Sequence, residues 1–240
     1  MPLQQGPAAP ARWDQKALRL LVRTLFRLLF RVRVVGLDNI PPTPVIICAN
    51  HLGWADPFLI LLFFPAEPRI YVLGMEAIYE TTPLVRRILD WLQIMVALDP
   101  QQPQCAARAM EEMVAHGGRL LIFPEGRLGD AEGRLQSLHP GAAHAALHNH
   151  VPLLPVGLTG THELWLRRPL TMRIGPPIIP ETAPGPLHAR VAALIERLTA
   201  AMQALLPGDA VADRRKPLCV WLMQMDRRVA PAADHGTEGG

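Results

Sequence analysis

Apolar residues along this chain fall into two kinds of pattern. Five short runs, Val45-Ile46-Ile47-Cys48-Ala49, Ile70-Tyr71-Val72-Leu73, Ile94-Met95-Val96-Ala97, Leu120-Leu121-Ile122-Phe123 and Leu153-Leu154-Pro155-Val156, have the length and aliphatic content of buried strands. Between them lie longer stretches with helical spacing, over 82–91, 104–116 and 141–148, and a last amphipathic helix covers 187–206. Strands alternating with helices predict a single α/β domain over 35–206, a mixed central sheet flanked by helices. Beyond it, 207–240 has little to pack and is expected to be a mobile tail.

The first 34 residues read differently. Arg12, Lys16, Arg19, Arg23, Arg27 and Arg31 recur at helical spacing, within an arc of roughly 120° at about 100° per residue. Leu18, Leu20, Leu21, Val22, Leu25, Phe26, Leu28, Leu29 and Phe30 fill the rest of the circumference. Residues 1–37 carry a net +6, against −3 for the remainder, so the overall +3 conceals a strongly basic start. A spanning helix needs about 20 mostly apolar residues, and a central arginine costs about 2.5–3.5 kcal/mol. This helix is therefore expected to lie in a membrane interface, leucines in the acyl boundary and arginines on anionic headgroups. Residues 1–11 are polar and Pro-rich and resemble no secretory signal, which suggests peripheral attachment to the cytoplasmic face of the cell membrane. The basic stripe is accompanied by leucines instead of aromatics or base-reading amides, which argues against nucleic acid as a partner.

Composition removes several functions. Pro and Gly, 25 and 18 of 240 residues, stay below the roughly 25–30% typical of low-complexity disorder. Cys48, Cys105 and Cys219 have no C-x-x-C spacing, so neither a disulfide framework nor a zinc site is suggested, and a reducing compartment fits. Ser137 is the one serine and lies outside any G-x-S-x-G turn, which argues against a serine hydrolase. Neither lysine, Lys16 or Lys216, follows a phosphate-binding glycine loop, and no G-x-G-x-x-G opens a helix. His162-Glu163 begins like a metalloprotease helix, but Leu166 stands where the second histidine belongs. His144 and His148 stand four apart with no acid or cysteine at ligand spacing, so no metal site is expected.

The chemistry concentrates after the first predicted strand, in Ala49-Asn50-His51-Leu52-Gly53-Trp54-Ala55-Asp56-Pro57. A loop closing at Gly53 can fold the Asp56 carboxylate onto the His51 ring. The carboxylate then fixes the tautomer, and the free ring nitrogen can take a proton from an incoming hydroxyl. A second block, Ile122-Phe123-Pro124-Glu125-Gly126-Arg127, follows another buried strand and should reach the same sheet edge. Its arginine has the fork geometry that matches a phosphate. Cys48, inside an apolar strand, reads as a buried, inert thiol.

Asn50-His51 with Asp56, then Phe123-Pro124-Glu125-Gly126, then 151–156, resembles the glycerolipid acyltransferase family, of which 1-acylglycerol-3-phosphate acyltransferase is the type member, over roughly 35–180. The resemblance implies an acyl thioester donor, acyl-CoA or acyl carrier protein, with no further cofactor, and a lysophospholipid or glycerol-phosphate hydroxyl as acceptor. It makes His51 the general base and Asp56 its orienter, gives Glu125, Gly126 and Arg127 acceptor-site roles, and leaves Asn50, Phe123, Pro124 and Pro152 in support, with 151–156 lining the acyl site. Where the family commonly has an arginine after a strand this chain has Asp99, and Gly74 replaces a frequent lysine. The arginine after Phe-Pro-Glu-Gly comes one place early, at Arg127. This variant looks like the acyltransferase half of the bifunctional 2-acylglycerophosphoethanolamine acyltransferase–acyl carrier protein synthetase. An acceptor carrying one negative charge fewer would need fewer cations, and Arg86, Arg87 or Arg134 could replace the missing one.

Overall fold

The computed structural model describes residues 13–75, 95–98, 117–181 and 185–207; at 95–98, and at Gly74 and Met75, only the backbone is described. The helices expected over 82–91 and 104–116, the tail, and Asp99, Arg86 and Arg87 lie outside these residues. The strands are β1 (Arg31–Val35), β2 (Ile46–Ala49), β3 (Ile70–Met75), β4 (Met95–Leu98), β5 (Arg119–Ile122), β6 (Leu153–Thr159) and β7 (Pro169–Ile174). The helices are α1 (Trp13–Leu29), α2 (Ala55–Phe63), α3 (Gly141–Asn149) and α4 (Leu187–Leu205).

All seven strands join one sheet in the order β1-β7-β6-β2-β5-β3-β4. Pairings from β6 to β4 are parallel, β7 runs antiparallel to β6, and β1 is parallel to β7, so the sheet is mixed, as expected. Because side chains alternate across a strand, β2 feeds two cores. Ile47 and Ala49 pack on the face covered by α1 and α2, while Ile46 and Cys48 pack on the face covered by α3 and α4. Burial on both faces explains why the central strands read as unbroken apolar runs.

The N-terminal element departs from expectation in two ways. The helix stops at Leu29, and Arg31 and Arg33 stand on the edge strand β1 instead. Val32 and Val34 pack against the core while both arginines stay exposed, a two-residue alternation that only a strand satisfies. The second departure concerns the basic stripe, which is turned toward the domain. Arg19 donates from Nε to the Leu61 carbonyl at 3.0 Å, and from a terminal nitrogen to Leu62 at 3.2 Å and to Phe64. The guanidinium groups of Arg23 and Arg27 lie 5.2 and 5.4 Å from the Phe63 ring centroid. Lys16 pairs with Glu67 at 2.9 Å. The reason is local: α2 ends here, and its last carbonyls have no helical partner. Leu20, Leu21, Leu25 and Leu28 remain on the outer side, Leu21 66% exposed. No helix among the described residues is long and apolar enough to cross a membrane.

Candidate active site

β2, β5 and β6 are neighbours and parallel, so their carboxyl ends open onto one edge of the sheet. His51 leaves β2 there, between the loops that follow β5 and β6. Asn50 anchors this exit: its side-chain N–H donates to the Leu158 carbonyl at 3.0 Å, and its Oδ1 accepts from the Leu158 N–H at 2.7 Å. The amide thus continues the β2–β6 ladder by one step, a structural support.

Asp56 sits in the first turn of α2 and is 0% exposed. Pro57 follows without penalty, since a first-turn N–H has no helical acceptor. One Asp56 oxygen, Oδ2, accepts from His51 Nδ1 at 2.9 Å, from the Leu52 N–H at 2.5 Å and from the Gly53 N–H at 2.8 Å. Three donors and the helix N-terminus offset the burial of charge at Oδ2, while Oδ1 is buried with no hydrogen-bond partner among the described residues. Because an ionised carboxylate only accepts, Nδ1 carries the ring proton and Nε2 keeps its lone pair. The His51 side chain is 24% exposed, and its ring stacks on Phe123 with centroids 4.1 Å apart. The pair expected from the sequence is therefore assembled.

The loop after β5 grips His51 by its backbone. Phe123 to Gly126 form a tight turn closed by the Gly126 N–H on the Phe123 carbonyl at 3.1 Å, with Pro124 at the position that favours proline. Gly126 takes φ +66°, and a Cβ there would stand 2.8 Å from the His139 ring. The turn aims the Glu125 carboxylate inward, where it is 2% exposed. One oxygen accepts the His51 N–H at 3.0 Å and the other the Gln136 N–H at 2.9 Å. Burial pushes the Glu125 carboxyl above its ordinary range, partly offset by those two N–H donors. Gly129 completes the grip by donating to the His51 carbonyl at 2.6 Å. Both amide groups of His51 are thereby fixed. Glu125 occupies the site, but its geometry is that of a brace behind His51 and not of an acceptor ligand.

Arg127 is exposed and donates to the Gln136 side-chain oxygen, an uncharged partner. Arg134 is exposed and 3.6 Å from Asp130. Gln136 and Gly129 carry no motif signal, and Glu132 was equally silent. Its carboxylate accepts from the Gly160 and His162 N–H groups and lies 3.7 Å from Arg168, tying the loop after β5 to the β6–β7 connection.

Pro152 belongs elsewhere. Its carbonyl accepts the Ile46 N–H at 3.0 Å, at the amino end of β6, and His51 lies roughly 15 Å away along the strand at about 3.3 Å per residue. The apolar run 151–156 is core of the sheet, and Pro152 does not support the site directly. Cys48 is fully buried, and burial pushes its thiol pKa up, as an inert thiol requires. The described residues include no group of three or more histidines, cysteines or acids that could hold a metal.

A model of the Acyltransferase family matches residues 31–159, which contain every element of this site except its outer support. The chain belongs to the acyltransferase family. Among its relatives is a 1-acyl-sn-glycerol-3-phosphate acyltransferase of Limnanthes alba, 32% identical over 54% of this chain and 48% of the relative. One of the same name from Pseudomonas aeruginosa is 30% identical over 60% of this chain and 57% of the relative. The chain thus spans about half the length of the curated relatives it matches. The crystal structure of the 1-acyl-sn-glycerophosphate acyltransferase from Thermotoga maritima shares the fold with a TM-score of 0.59 over 81% of this chain and 82% of that one, at 24% identity.

Proposed function

We propose that this acyltransferase-family protein moves a fatty acyl group from an acyl thioester to the free hydroxyl of a lysoglycerophospholipid. The observation that carries the reading is the His51 Nδ1–Asp56 contact of 2.9 Å on the loop after β2, with the ring still reachable from solvent. Nε2 takes the proton of the acceptor hydroxyl as its oxygen attacks the thioester carbonyl. The new C–O bond forms, the C–S bond breaks, and the departing thiolate recovers the proton from the imidazolium. Asp56 favours the transient imidazolium by its charge. No enzyme nucleophile is required, in keeping with a chain that has one serine.

Arg127 is the residue that would meet the acceptor phosphate, since its guanidinium is exposed and bonds the neutral Gln136 amide. 1-Acylglycerol-3-phosphate is the favoured acceptor, supported by the names of the relatives; 2-acylglycerophosphoethanolamine is the alternative that Asp99 in the motif suggests. Docking is at a membrane surface through the outward leucines of α1, where the lysolipid and its product both reside. The donor is acyl-CoA or acyl carrier protein.

The test offers palmitoyl-CoA and palmitoyl-acyl carrier protein with lysophosphatidic acid, 2-acylglycerophosphoethanolamine and glycerol 3-phosphate, following thiol release and lipid product. Acceptor-dependent diacyl product that falls by about 10²–10⁴-fold in His51→Ala is expected. Thiol release without acceptor would turn the reading into a thioester hydrolase using the same pair. No turnover with either donor would leave a lipid-binding protein.

A further inference from the structure

α2 joins the two halves of the molecule that matter most to one another. Its first turn carries Asp56, and its last turn is held by Arg19 of the N-terminal helix. At nine residues it is a rod about 13 Å long, too short to absorb a displacement at one end by bending. We propose that Arg19 is a positioning residue, which caps the carboxyl end of α2 so that Asp56 at its amino end stays in register behind His51.

Three observations support this assignment. Arg19 bonds three carbonyls at the end of α2, those of Leu61, Leu62 and Phe64, where a single cap would suffice to end a helix. Its guanidinium is partly buried, and burial together with repulsion from Arg23 works against its charge, so the position is held against an electrostatic cost. Arg23 and Arg27 lie over Phe63, the last residue of the same helix, which concentrates the inward side of α1 on this one end. At the other end, Asp56 bonds His51, Leu52 and Gly53 through a single oxygen. A small axial shift of α2 therefore loosens all three contacts together. Seating of the N-terminal helix and geometry of the reacting pair become one property. The catalytic consequence rests on the proposed role of His51 as general base; the mechanical link does not.

The experiment uses the full chain with Arg19→Ala and Arg19→Lys. Amide hydrogen exchange is followed at Leu52 and Gly53, with the Leu158 N–H, bonded to Asn50, as the internal reference. In Arg19→Ala, exchange at Leu52 and Gly53 is expected to rise about tenfold while Leu158 keeps its rate, with Arg19→Lys in between. Acyl transfer should fall by roughly ten- to a hundredfold in kcat, and Lys should recover part of it. Equal acceleration at all three amides would mean plain destabilisation, and unchanged rates at Leu52 and Gly53 would remove the link; either overturns the proposal. So would a normal kcat in Arg19→Ala. A wild-type protein without transferase activity would instead refute the reading of the site, and the exchange data would still decide whether Arg19 holds Asp56.

Discussion

One oxygen of Asp56 accepts from three donors, and that arrangement determines which tautomer His51 adopts. What the charge of Asp56 adds can be tested with Asp56→Asn. The asparagine oxygen can take the place of Oδ2 and accept from all three donors, with its NH₂ group at the buried Oδ1 position, which has no hydrogen-bond partner among the described residues. The tautomer is kept, but the negative charge that favours the imidazolium is lost, so Nε2 becomes a weaker base for the hydroxyl proton. We expect kcat to drop by about 10²–10⁴-fold, comparable to His51→Ala, with the urea midpoint little changed. Loss of stability with normal turnover would make Asp56 only a helix cap. The pair was legible in the sequence because its partners stand only five positions apart, on the passage from β2 into α2. Gly129 and Gln136 were not, because the contacts they make to the His51 carbonyl and to Glu125 come from backbone N–H groups. Nearly any residue type supplies such a donor, so no side-chain pattern announces it.

Glu125 works between elements, joining the loop after β2 to the loop after β5 through two backbone donors. Its buried carboxyl titrates above its ordinary value. A carboxyl raised on folding contributes stability that is fully present below the unfolded pKa and is lost as pH rises through the folded one. Glu125→Gln removes this titration and sets an NH₂ group against one of the two N–H donors. The variant should be less stable at neutral pH by about 1–3 kcal/mol, the cost of an unsatisfied buried donor. The gap should widen as pH falls toward 4.5, because only the wild type gains from protonation there. Paired urea titrations across that range check the sign, and a gap that narrows would contradict the burial. At this scale the central strands were readable because both faces are buried, whereas β1 and β7 were missed. The basic repeat through Arg19, Arg23, Arg27 and Arg31 has a period of four, which a two-residue alternation also satisfies at Arg31 and Arg33. Charge alone therefore could not say where helix gives way to strand; pairing of β1 with β7 decides it.

For the molecule as a whole, the orientation of α1 decides what a membrane would meet. An interface helix with its arginines on the headgroups would bind largely by charge and release in salt. Here Arg19 and Arg23 are engaged by α2, and Leu20, Leu21, Leu25 and Leu28 form the outward stripe, so attachment should be chiefly hydrophobic. Each leucine buried from an exposed position is worth about 1.5–3 kcal/mol. The paired substitution Leu21→Glu with Leu25→Glu should weaken binding to phosphatidylglycerol–phosphatidylethanolamine vesicles by at least about a hundredfold in co-sedimentation. Raising the salt should weaken wild-type binding far less, with exposed Arg27, Arg31 and Arg33 supplying the residual dependence. Turnover of a short-chain, water-soluble acceptor should survive the double substitution, since both leucines are exposed on the outer side of α1. Salt-sensitive binding that tolerates both glutamates would mean that the membrane meets another face. α1 would then be a structural helix, and its exposed leucines would need a different cover.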